Sequence, residues 1–79
     1  MNATKLTEQL VTKAQLLTLF KAWGTDAEVP AARMKSMVVW PFGEYAEVHH
    51  TASKSDYGQR LYRIEFYKTN QGEATCQEQ

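Results

Sequence analysis

The 79-residue chain has one cysteine, two prolines and four glycines, and its nine lysines and arginines are matched by nine aspartates and glutamates. Each scarcity excludes something. Cys76 stands alone in a polar stretch, so neither an intrachain disulfide framework nor a cysteine-rich zinc site is available. Gly24, Gly43, Gly58 and Gly72 are isolated from one another, and none belongs to a phosphate-cradling loop. No apolar run approaches the roughly 18 to 20 residues of a membrane span, and the N-terminus lacks the charged-then-apolar pattern of a signal peptide. The chain is therefore expected to be cytoplasmic, without a membrane partner. A formal net charge of zero argues against nonspecific grip on duplex DNA. The serines, threonines and aspartates form no nucleophile elbow or triad order. No cofactor, metal or catalytic residue is expected, and the protein reads as a non-enzyme.

Hydrophobic residues make up 43% and charged residues 23%, a globular rather than a disordered composition. A body this small buries only about 60% of its unfolded surface, so its core must be compact. Residues 1–68 are expected to form one small α+β domain, and the polar stretch 69–79, TNQGEATCQEQ, a disordered tail. The tail carries Glu73 and Glu78 and no cation, leaving nine cations against seven acids in 1–68.

Thr12-Lys-Ala-Gln15 has the form of a capping box, and Leu16, Leu17, Leu19, Phe20 and Trp23 follow at helical spacing before Gly24. Leu6, Leu10 and Ala14 continue that stripe backwards. The spacing predicts helix over about 4–23, with a bend at Thr12. Val29-Pro30 suits the first turn of a second, short helix over about 30–37. Trp40 precedes a proline and is biased out of the helical region, so a short third strand near 38–40 ends at the turn Pro41-Phe42-Gly43.

The C-terminal half carries the clearest pattern. EYAEVHHT, 44–51, places Tyr45, Glu47 and His49 on one face of a strand and Ala46, Val48 and His50 on the other. RLYRIEFYK, within 59–68, places Tyr62, Ile64 and Phe66 on one face and Leu61, Arg63, Glu65 and Tyr67 on the other. The small and polar ASKSDYG between them predicts an antiparallel hairpin. The two helices are expected to pack on it.

The face of Tyr62, Ile64 and Phe66 reads as core. The mixture on the second is that of a contact surface. Trp40-Pro41-Phe42 adds two large rings at a turn tip. The expected function is that of a small accessory or regulatory protein, similar in size and style to those of phages and mobile elements, that binds another macromolecule. Its partner is expected to be a protein of unidentified kind, met by Trp40, Phe42, Leu61, Arg63, Glu65 and Tyr67. A homodimer is also compatible with the sequence.

Two alternatives are drawn from the same residues. The order helix, turn, short helix, hairpin resembles a winged helix-turn-helix, which implies a sequence-specific DNA-binding regulator using Arg33, Lys35, Lys54 and Arg60. A small metal-independent ribonuclease would use His49 or His50 with nearby Tyr45, Arg60 or Arg63. Adjacent histidines on a strand point to opposite faces, so His49 and His50 are not expected to chelate one metal.

Overall fold

The computed structural model describes residues 3–69. One helix and four strands follow in the order β1 (Ala3–Thr12), α1 (Lys13–Trp23), β2 (Lys35–Val39), β3 (Glu44–Lys54) and β4 (Arg60–Thr69). The strands form one antiparallel sheet in the order β1-β4-β3-β2. The expectation of mixed helix and sheet is met in part, because sheet predominates and only one helix is present among the described residues.

The long N-terminal helix expected over 4–23 is corrected to a strand followed by a helix. Thr12 ends the strand and caps the helix, with φ −78° and ψ 169°. An N-cap residue takes an extended backbone, so β1 passes into α1 without a loop. Both halves of the capping box are closed: the Gln15 amide donates to Thr12 Oγ1 at 3.3 Å and the Thr12 amide to Gln15 Oε1 at 2.9 Å. At the other end Gly24 adopts φ 70°, and its amide reaches the Lys21 carbonyl at 3.1 Å. Residues 3–12 pair with β4, with a bulge at Leu6 between the pairs Lys5–Tyr67 and Thr7–Phe66.

The expected second helix over 30–37 is also overturned. Arg33 sits at φ 68°, the one positive value among the described non-glycine residues, in a turn closed by the Met34 amide on the Ala31 carbonyl at 3.0 Å. A left-handed residue ends any right-handed helix, and the run KSMVV then pairs with β3. The short strand expected near 38–40 is present, as Lys35–Val39. The hairpin over 44–51 and 59–68 is present, with β3 reaching Lys54 after a register shift beyond His50. The tail expected over 69–79 lies outside the described residues from 70 onward; Thr69 belongs to β4.

Alternation along the strands builds the core. Val11, Val38, Ala46, Val48, Tyr62 and Ile64 face the helix side, where Leu16 and Phe20 of α1 close over them. The helix lies over β1 and β4. Ala27, Val29 and the buried Pro30 continue the cover, and Ser36 Oγ donates to the Glu28 carbonyl beside β2. Leu17, which the helical period places in the core, is 48% exposed. Trp23 is the hub of a ring cluster: Trp40 and Phe66 meet it edge-on at 5.3 and 5.9 Å, and Phe20 lies at 6.1 Å.

Candidate functional site

Among the described residues no helix covers the second face of the sheet. Strand period places Lys5, Glu8 and Leu10 of β1, Leu61, Arg63, Glu65 and Tyr67 of β4, Tyr45, Glu47 and His49 of β3, and Lys35 and Met37 of β2 on it. The register puts three carboxylates in one row, since Glu65 stands opposite both Glu8 and Glu47. Like charges directly opposed across a ladder destabilise it. This row is held by cations interleaved from the neighbouring positions.

Glu65 is the centre, 9% exposed. Tyr67 Oη donates to its Oε1 at 2.7 Å and Arg63 Nε to its Oε2 at 2.6 Å, while Lys5 Nζ stands 3.8 Å from Oε2. The phenol and the two cations hold the Glu65 carboxyl below the usual carboxylate range against the opposing effect of burial. The same hydrogen bond pushes the Tyr67 phenol up to about 12, because ionising it would set two anions together. Lys5 is raised in turn by its hydrogen bond to Glu8. His49 Nε2 lies 3.0 Å from Glu47 Oε1 and 3.6 Å from Glu65 Oε1, and Lys35 Nζ lies 3.5 Å from Glu47 Oε2.

Glu47, His49 and Glu65 bring three donor atoms within 4.8 Å of one another. All four carboxylate oxygens of the pair are nonetheless engaged, two with His49 and Lys35 on Glu47 and two with Tyr67 and Arg63 on Glu65. A divalent ion there would have to displace these partners and sit beside fixed positive charge. The set is a charge-balanced lattice of side chains.

Beside this strip, at the end of the sheet where β2 turns into β3, lies an apolar cleft of about 330 Å³. Leu6, Trp40, Phe42, Tyr45, Phe66 and Tyr67 line it. The Tyr45 and Tyr67 rings stack at 5.1 Å with 15° between their planes. Trp40 is half-buried against Trp23, whereas Phe42 is 65% exposed at the turn tip. Gly43 permits that tip: its φ is 94°, and a Cβ there would meet Thr69 Cγ2 at 3.2 Å.

Of the expected contact residues, Leu61, Arg63, Glu65 and Tyr67 therefore share the open face, and Trp40, Phe42 and Tyr67 share the cleft. Tyr67 belongs to both. Glu47 and Lys5, named in no expected site, complete the strip with His49 of the ribonuclease alternative and Lys35 of the DNA-binding alternative. For Glu47 and His49 the signal was present, since they alternate onto the Arg63 face once the hairpin is paired.

The DNA-binding alternative placed Arg33 and Lys35 on a helix over 30–37, which is absent among the described residues. Arg33 is in the left-handed turn and Lys35 pairs with Glu47 on the edge strand. Lys54 and Arg60 stand opposite each other at the hairpin end, where Arg60 Nη1 donates to the Thr51 carbonyl at 2.8 Å. The stretch 30–37 that reading needed as its recognition helix is a turn running into β2. His49 and His50 lie on opposite faces, with His50 edge-on to Tyr62 at 5.6 Å. Neither a family model, nor a curated protein, nor a solved structure matches the chain.

Proposed function

We propose that this chain is a small non-enzymatic accessory or regulatory protein that binds another protein through the cleft and the adjoining open strip. The observation that carries the reading is the position of Tyr67, which lines the apolar cleft and is fixed by Glu65 beside Arg63. A desolvated apolar pocket flanked by held aromatic and arginine side chains is the arrangement in which interface energy concentrates. The cleft has room for one or two apolar side chains of a partner, and Arg63 with Glu65 would then read polar groups next to them. Because Arg63 and Tyr67 are already held by hydrogen bonds, less side-chain freedom is lost on docking.

The test is capture from extract of the native host, followed by titration of the purified partner. Arg63→Ala, Tyr67→Ala and Phe42→Ala each weaken binding by roughly 1 to 4 kcal/mol with the fold retained, and Lys21→Ala, on the helix, leaves it unchanged. Loss of binding on changing Arg33, Lys35, Lys54 and Arg60 while Arg63 and Tyr67 tolerate alanine overturns the reading. In that case a steep fall of affinity with salt identifies a nucleic-acid partner.

A second reading has one observation behind it, the 3.0 Å contact of His49 with Glu47 beside Arg63 and Lys35. A histidine–carboxylate pair supplies general acid–base groups, and the cations would bind a phosphodiester, as metal-independent ribonucleolysis requires. Cleavage of RNA in the presence of a chelator, abolished by His49→Ala, would place this reading ahead of the first.

A further inference from the structure

The two edges of the sheet differ in a way that points to a second copy of this chain. The Trp40 amide donates to the Glu44 carbonyl at 2.8 Å, and hydrogen-bonded pairs alternate along an antiparallel ladder. Ser36 and Val38 therefore bond inward to Val48 and Ala46, whereas Lys35, Met37 and Val39 turn their N–H and C=O groups outward. Among the described residues no backbone hydrogen bond reaches those outward groups. The β2 ladder has no register shift, while the opposite edge, β1, is interrupted by the bulge at Leu6 and carries Lys5 and Glu8. Bulges and charges are the devices that block edge pairing, and β2 has only Lys35 at one end. Three exposed large apolar side chains, Met34 at 63%, Met37 at 48% and Val39 at 71%, lie on or next to it.

We infer that the β2 edge pairs antiparallel with the β2 edge of a second copy about a two-fold axis at Met37. The outward groups fall at 35, 37 and 39, symmetric about 37, so this one register satisfies all of them. Met37 faces the second copy's Met37, and Lys35 faces the second copy's Val39. The two Lys35 ammonium groups are held at opposite ends of the seam, so no like charges meet. Each Lys35 stem covers an exposed valine. The product is a continuous eight-stranded sheet with both clefts and both open strips on view, so this contact and the partner-binding reading stand or fall separately.

The test is sedimentation of the full chain over a concentration series, with amide exchange by NMR. The expected result is a concentration-dependent dimer in which the amides of Lys35, Met37 and Val39 slow as the dimer fills, while those of Ser36 and Val38 do not change. Met37→Lys sets two ammonium groups against each other on the axis and weakens the dimer about tenfold or more. The fold is kept, because Met37 stands opposite Glu47 in its own sheet. Val39→Glu faces Lys35 of the second copy and leaves the dimer unchanged or tighter. A chain still monomeric at about 0.5 mM, a dimer indifferent to Met37→Lys, or one lost equally in Val39→Glu overturns the inference.

Discussion

The two faces of the sheet are built by the same strands from alternate residues, yet they are stabilised by opposite means. On the helix side Leu16, Ala46, Val48 and Ile64 are fully buried, and the free energy comes from apolar area withdrawn from water. On the open side a row of three carboxylates is balanced by Lys5, Arg63 and Lys35, with His49 within 3.0 Å of Glu47, and little net stability is gained. The first face determines whether the chain folds. The second holds Arg63 and Tyr67 in one arrangement, which a loosely solvated surface would not do.

The largest expected effects break the first face. Ile64→Ala or Phe20→Ala removes a buried side chain where α1 meets the sheet and should cost about 2 to 5 kcal/mol in denaturant unfolding. Leu17→Ala, half exposed on the same helix, should stay within about 0.5 kcal/mol. Equal losses for Phe20 and Leu17 would mean that the helix is rotated from the position described.

Glu65→Ala tests the second face. It removes the common acceptor of Tyr67 and Arg63 and should cost about 1 to 3 kcal/mol. The same change should bring the Tyr67 ionisation down from about 12, as read by phenolate absorbance during alkaline titration. Thr12→Ala, at the joint between strand and helix, should cost about 1 kcal/mol and leave both faces otherwise intact.

The smallest effect is the pH dependence, and its sign differs at the two ends of the scale. The Glu65 carboxyl is depressed in the folded state, so its contribution is present above the ordinary value of 4.5 and fades as pH falls through the folded one. The Tyr67 phenol is raised from 10.0 to about 12, so its contribution is complete below pH 10 and is lost as pH rises towards 12. In Glu65→Gln both arms of the stability profile should flatten together.

The parts of this arrangement that were legible in the sequence are those whose signals are local. The capping box at Thr12, the αL glycine at Gly24, the hairpin and the assignment of each hairpin residue to a face all follow from short-range pattern. The strand β1 was not legible. Leu6, Leu10 and Ala14 continue a helical stripe, and an edge strand with little burial shows weak alternation. Its partner, β4, lies 49 to 66 residues away, beyond the reach of a window. The helix expected over 30–37 rested on proline at its start, and the left-handed Arg33 that ends it leaves no mark in residue type. Those two errors hid the places of Lys5 and Lys35 on the open face, and with them the balance of the carboxylate row. Trp40 and Phe42, two rings at one turn tip, both line the cleft, Trp40 half-buried against Trp23 and Phe42 65% exposed.

The position of β4 between β1 and β3 has a practical consequence. Its only covalent link to the preceding strand is the hairpin tip, where Tyr57 is 92% exposed and the Ser55 hydroxyl accepts the amides of Tyr57 and Gln59. A protease that cuts after Tyr57 severs that link while leaving both flanking ladders in place. The C-terminal fragment would then be a detachable central strand, and the remainder a receptor with a slot for it. The same geometry makes the chain divisible at this tip into two pieces that report on each other's presence by reassembling.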